Sequence, residues 1–206
     1  MSRLLVEPMP GILTWPRFSE RFGYDFHGTL VRHEDGNLCI DPVDVGDGVL
    51  EALLHEGVRR ILLTNRNHYR DAARVREATG ARVLVHPADA EFVRQKRVPV
   101  DGQLLPGQLI GPFTVLGVPG KSPGEIALHD AARRLLLIGD ACVGNPPGQL
   151  ALLPAQAIDD LPLLRQSLRA LHAAVDFDTL LLGDGAAILS GARDQLGALV
   201  ATFPGD

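Results

Sequence analysis

Short runs of Val, Ile and Leu recur along this chain, and Gly, Pro or Asp stops each of them before it reaches helical length. They are "GTLVRHEDGNLCIDPV", "RRILLTN", "ARVLVHP", "GPFTVLGVPG", "GEIALHD", "RRLLLIGDA" and "DTLLLGDG". Apolar runs of this length with such punctuation form strands. The first contains its own turn, "EDGN", and reads as a hairpin. Because a strand leaves a row of N–H and C=O groups unpaired, so many runs force the chain to build sheets.

Helical segments lie between the runs. "DGVLEALLHEG" places Val49, Leu50, Leu53 and Leu54 at helical spacing and closes on Gly57, as a glycine C-cap requires. "HYRDAARVREATG" closes the same way at Gly80, and "PADAEFVRQK" is a third helix. "DDLPLLRQSLRALHAAV" opens with Asp159 and Asp160, where the helix dipole favours negative charge, and "SGARDQLGALVATF" is the last helix. "QKRVPVDGQLLPGQ" reads as a surface connection. Hairpins come first, then β and α alternate around a further hairpin. A purely parallel sheet does not open in this way, so the fold class expected is α/β (α+β), two mixed sheets in a sandwich with helices outside.

A chain of 206 residues, 46% of them hydrophobic, fills one core, and a single domain over 1–206 is expected. The net charge of -5 argues against a surface that tracks phosphates, so nucleic acid is not an expected partner. Cys39 and Cys142 have neither the spacing of a zinc ribbon nor that of a redox dithiol, which suits a reducing cytoplasm. "MSRLLVEPMPG" is broken by Pro8 and Pro10 and falls short of a signal peptide, and no stretch has membrane-spanning length. The expected protein is cytoplasmic, without a membrane partner.

Four pieces then fall into order: "LCIDP", "ILLTNRNHYRDAA", "VPGKSPGEIALHD", and "LLLIGDACVG" followed later by "LLLGDGAAI". From about Leu38 to Gly185 they resemble the successive motifs of the metallo-β-lactamase fold superfamily. The resemblance implies an αββα sandwich with a metal site at one edge of its sheets, in a family of mostly zinc or iron hydrolases and oxidoreductases. The family's H-x-H-x-D-H motif falls on Asn65, Asn67, Tyr69 and Arg70. The histidine of its "PGHSPG" is Lys121, and the last histidine, of "GHG", is Asp184. The bridging aspartate alone survives, as Asp140.

These replacements change the chemistry. Zinc takes imidazole, thiolate or carboxylate, and a carboxamide oxygen is a weaker ligand. Arg70 offers only donors and stays charged, and Lys121 behaves alike unless strongly desolvated. If Arg70, Lys121, Asp140 and Asp184 share one vestigial pocket, two cations and two anions sum to zero without a metal. No cofactor is therefore expected.

Other readings of single residues stay beside this one. Asp140 and Asp184 lie in Gly-Asp turns, where aspartate also caps backbone N–H groups. His68 is read as solvent-facing or capping near a helix start, with metal ligation as the minority alternative, and Tyr69 as a filler of the former metal cavity. Cys142 is close enough to Asp140 to be a nucleophile, but an inert buried thiol is the commoner case. The leading functional expectation is a non-catalytic binding or structural protein with the family's frame. The alternative is a hydrolase with a remodelled site, either metal-free through Lys121 and Asp140 or holding one metal through Asp140, Asp184 and His68. A small-molecule ligand in the vestigial pocket and a homodimer are the partners the sequence allows.

Overall fold

The computed structural model describes residues 5–204, so residues 1–4 of the opening "MSRLLVEPMPG" lie outside it. The chain forms two compact units, one ending at Leu104 and the other beginning at Leu105.

The first unit is built on a seven-stranded mixed sheet whose strands follow chain order. β1 (Val6–Met9), β2 (Ile12–Ser19), β3 (Tyr24–Val31) and β4 (Asn37–Ile40) are antiparallel neighbours. From β4 onward, β5 (Val58–Leu63), β6 (Arg82–Val85) and β7 (Gly102–Gln103) run parallel. The apolar runs do not mark β1, β2 or the first half of β3. Pro16 argues against a strand in "ILTWPRFS", yet it is tolerated because the pairing of β1 with β2 reaches only Val6 and Thr14. The "QKRVPVDGQLLPGQ" connection contributes β7, because Asp101 N–H and Leu104 N–H donate to Val83 O and Val85 O at 2.8 and 3.1 Å. Helices α1 (Asp47–Glu56), α2 (Ala72–Thr79) and α3 (Pro87–Gln95) fill the crossovers. Val49 and Leu53 of α1, Val75 of α2 and Val93 of α3 join Trp15, Ile61, Leu63 and Val83 in one core. Each such side chain gains roughly 1.5–3 kcal/mol by leaving water. Trp15 places its indole N–H nitrogen 2.7 Å from Val43 O. Its polar end is therefore satisfied as well.

The helix expected to start near His68 begins later. Residues Arg66–Tyr69 form a 3-10 turn, Arg70 breaks the spiral at φ 9° and ψ −104°, and α2 starts at Ala72. One long-range bond and one local cap outweigh helix propensity here. The Asp71 carboxylate accepts Val45 N–H at 2.5 Å, and the Asn65 side chain accepts Asn67 N–H at 2.8 Å. The second of these bonds caps the turn.

The second unit has a five-stranded mixed sheet in the order β12, β11, β10, β9, β8. β8 (Leu109–Ile110), β9 (Phe113–Gly117), β10 (Ile126–Asp130) and β11 (Leu135–Ile138) form an antiparallel meander, and β12 (Thr179–Leu182) joins β11 in parallel. Between β11 and β12 runs α4 (Leu161–Ala174), and α5 (Ala192–Ala201) follows β12. Leu164, Leu168 and Leu171 recur on one face of α4 and pack with Phe177, Leu196 and Leu199. Asp160 caps α4 by accepting Leu163 N–H at 2.9 Å, which explains the acidic pair that opens this segment.

Candidate active site

In parallel strands the carboxyl ends share one edge, and functional groups collect there. In the first unit that edge carries Asp41 after β4 and Thr64 after β5. Asp41 takes φ 48°. This left-handed conformation is one that aspartate tolerates better than most residues. The turn aims its carboxylate back at β5. Oδ1 accepts Thr64 N–H at 2.8 Å and Oδ2 accepts the Thr64 hydroxyl at 2.6 Å.

His68 completes the group. Its Nδ1 lies 2.8 Å from Asp41 Oδ2 and 3.1 Å from Thr64 Oγ1, and its side chain is 0% exposed. The expectation of a solvent-facing or capping His68 is therefore corrected. A buried imidazole needs a partner, and a carboxylate from the end of β4 supplies it. An imidazole held through Nδ1 by a carboxylate has a fixed ring plane and presents Nε2 on its opposite side, as metal-bound histidines do. Asp89 of α3, also fully buried, accepts Arg66 N–H at 2.8 Å and so anchors the start of the 3-10 turn.

The remaining residues of the turn take separate places. Tyr69 packs against the first unit's core, with Lys96 Nζ 6.0 Å from its ring centre. The Arg70 guanidinium lies over the Phe26 ring, 4.3 Å from its centre. This is a cation–π contact. Asn65 is fully buried and serves the turn as described.

In the second unit, the register pairs Ile138 of β11 with Leu182 of β12. Asp140 and Asp184 lie just beyond these two strand ends at matching offsets, so parallel pairing carries both to the same sheet edge. Asp140 Oδ2 lies 2.5 Å from Lys121 Nζ, and the two side chains are 6% and 5% exposed. Glu125, just before β10, accepts Asp140 N–H at 2.8 Å through Oε1. Asp184 is also buried, and its carbonyl accepts Gly144 N–H at 3.1 Å. Glycine is required at this crossing. Gly185 has φ 83°, and a Cβ on it would stand 2.6 Å from Gly144 O. A residue without a Cβ meets both demands.

Asp41, Thr64 and Glu125 are site residues that the motif comparison passes over. Their signal was present: a charged or hydroxyl residue directly bordering the apolar run of a strand (LCI, ILL and IAL), where the chain has not yet left the interior. Cys142 is fully buried, and burial together with nearby Glu125 pushes its thiol up to about 12. Both the burial and the direction of this shift disfavour the thiolate, as in an inert buried cysteine. His86 caps α3 by accepting Ala88 N–H through Nδ1 at 3.2 Å. His129 Nε2 lies 2.9 Å from Asp176 O.

Among the motif residues described above, the side chains able to donate to a metal are His68 in the first unit and, in the second, Asp140 and Asp184. They do not fit the two-ion ligand set implied by the resemblance. Two of its positions carry carboxamides, and another carries a lysine that already occupies Asp140. An ammonium has no lone pair to offer.

Comparison with known proteins agrees with the motif order. A family model described as "Metallo-beta-lactamase superfamily" matches residues 6–203. A hydroxyacylglutathione hydrolase of Cereibacter sphaeroides is 32% identical over 179 residues, which are 82% of this chain and 64% of that protein. The chain thus spans less than two thirds of the length of that relative. Among solved structures, a metallo-β-lactamase from Pontibacter korlensis is similar with a TM-score of 0.76 at 13% identity, over 97% of this chain and 99% of the other. The metallo-β-lactamase FIM-1 from Pseudomonas aeruginosa, in a mono-zinc form, gives 0.75 at 13% identity over 97% and 96%. These likenesses show the fold, so the expected αββα class holds, each sheet being mixed as described. From the match through both units, the chain belongs to the metallo-β-lactamase superfamily.

Proposed function

We propose that the protein is a hydrolase of this superfamily with a remodelled, metal-free site, acting on an acyl ester or thioester of a small molecule. The observation that carries the reading is the buried Lys121–Asp140 pair at a strand-end edge. Hidden charges are costly to keep, and a scaffold with no chemistry to perform gains by replacing them with apolar groups. The named relatives are hydrolases, and they lend no support to the expectation of a non-catalytic protein.

In this reading the Lys121 ammonium stabilises the negative charge that develops on the substrate carbonyl oxygen, and Asp140 holds it in place. Asp184 takes a proton from the attacking water. As the carbon–sulfur or carbon–oxygen bond breaks, Asp184 passes that proton to the leaving sulfur or oxygen, giving a carboxylic acid and a thiol or alcohol and restoring the Asp184 carboxylate. Arg70, Asn65, Asn67 and Tyr69 stand at the positions of the family's first motif, and the reading gives them no part in the chemistry. The two units together form the single domain expected from the sequence, a reading supported by the family match that runs through both.

A second reading, one ion held by His68, Asp140 and Asp184, is favoured by the carboxylate-bound Nδ1 of His68. Turnover of a panel of acyl thioesters and esters, including a hydroxyacyl glutathione, tests both. Activity that is lost in Asp140→Asn and indifferent to chelators supports the metal-free site. Activity removed by a chelator and restored by zinc supports the single ion. No turnover above background overturns the hydrolase reading.

We also infer a cytoplasmic protein that needs neither nucleic acid nor membrane, with a homodimer as an open assembly. The acidic balance supports this, and so does the finding that no helix among the described residues is long and apolar enough to cross a membrane.

A further inference from the structure

We infer that Lys121 is a built-in counter-ion that keeps metal off Asp140, and that its removal restores metal affinity to this edge of the second unit. The inference is independent of whether the protein turns over a substrate.

Three observations carry it. The first is the pair itself, with Nζ and Oδ2 2.5 Å apart and both side chains nearly sealed from solvent. The second is that Lys121 is held by its backbone as well as by its charge. Asp159 N–H donates to Lys121 O at 3.3 Å, Asp160 N–H to Gly120 O at 2.8 Å, and Gly120 N–H to Ser122 O at 3.1 Å. Gly120, at φ 137°, sits so close to α4 that a Cβ would lie 2.3 Å from Leu164 N, so its place against the helix is fixed. The third is that Asp140 is clamped from its other side by Glu125, which accepts its N–H at 2.8 Å. With both backbones fixed, the ammonium is held on the carboxylate by construction.

A divalent ion arriving at Asp140 must displace a fixed positive charge in a medium that screens poorly. Altering a group bonded to a metal ligand changes metal affinity by roughly 10- to 100-fold, and that is the scale on which removing this cation should act.

The test is titration of the purified full chain with zinc, read by calorimetry and by metal content after desalting, for wild type, Lys121→Met, Lys121→His and Lys121→His/Asp140→Asn. Thermal melting without zinc establishes that each variant is folded. Lys121→His and Lys121→Met should bind zinc ~10- to 100-fold more tightly than wild type, and the double variant should lose the gain. Equal zinc binding by wild type and the Lys121 variants, or a gain that survives Asp140→Asn, overturns the inference. If Lys121→Met fails to fold, Lys121→His carries the same comparison, because its imidazole can still bond Asp140. Stoichiometric zinc retained on Asp140 by the wild-type protein would overturn it as well.

Discussion

The two units keep a buried carboxylate at a strand-end edge by different means. In the first, Asp41 is surrounded by a backbone N–H, a hydroxyl and an imidazole, donors that all come from the stretch Thr64 to His68. In the second, Asp140 faces the full charge of Lys121 on one side, while Glu125 takes its backbone N–H on the other. The first arrangement is a support, in which one carboxylate orders a turn and a histidine. The second is a charge balance, in which one group makes sense only while the other is present. From this contrast, substitutions should act locally in the first unit and as coupled pairs in the second.

The largest effect should come from breaking the charge balance. Lys121→Met leaves Asp140 buried without its cation and should cost about 3–5 kcal/mol of stability. In a urea double-mutant cycle, adding Asp140→Asn should recover a large part of that loss. Additive losses would mean that the pair is not coupled and would erase the contrast between the units.

Next comes the support. Asp41→Asn replaces one of two accepting oxygens with a donor, opposite Thr64 or His68, and should cost about 1–3 kcal/mol. The loss should not be relieved by any change in the second unit. A cycle that coupled Asp41 to Lys121 as strongly as to Thr64 would show that one network serves both units.

Each unit also buries one free thiol, which allows a pH comparison. Cys39 is pushed up by burial and then by Asp41, and Cys142 up to about 12 by burial and then by Glu125. Both keep their protons in the folded chain at a pH where the unfolded chain, with an ordinary value of 9.0, has begun to lose them. The folded state then binds more protons, so the stabilisation is complete below 9.0 and is lost as the pH rises above it. Each thiol should remove roughly 1 kcal/mol by roughly pH 10, and Cys→Ser at either site should flatten the alkaline limb of the stability curve. In the native state at neutral pH neither should react with a thiol reagent, and a fast-reacting Cys142 would reopen its role as a nucleophile.

The smallest effects should come from two pairs that solvent reaches, the half-buried Arg76 with Asp101 in the first unit and the exposed Arg134 with Asp176 in the second, each bidentate at 3.0–3.1 Å. The charge pairing lowers the carboxyl of Asp101 and of Asp176, but solvent screens both pairs. Asp176→Asn should leave the urea midpoint almost unmoved. Asp101→Asn should lower it slightly more, because Asp101 also accepts Val83 N–H at 2.9 Å. Equal losses at the two sites would show that this backbone bond adds nothing.

Much of the frame was legible because its signals are local. Gly57 and Gly80 close α1 and α2 in the left-handed conformation, Asp160 caps α4, and the turn before Asn37 joins β3 to β4. Each depends on residues within a few positions of one another, so reading along the chain finds it. The motif order grouped Lys121 and Asp140 with Arg70 and Asp184; that Lys121 bonds Asp140, and that Arg70 lies over Phe26, came from the structure.

The tertiary structure alone decided the fate of His68 and the start of α2. The helical periodicity of "HYRDAARVREATG" favours a helix from His68, but that local gain is only about a few tenths of a kcal/mol per residue. Against it stood a buried carboxylate from a distant strand end and the bond from Val45 N–H to Asp71, which together outweigh the lost helical turn. The sequence by itself therefore determined helices α1 to α5, the strands β4 to β6 and β9 to β12, and the charges that replaced the family's ligands, because periodicity, caps and residue type are properties of neighbours. Which of those charges are buried, and which carboxylate holds His68, depended on strand ends brought together from distant positions in the chain. Desolvation made those long-range bonds the stronger terms.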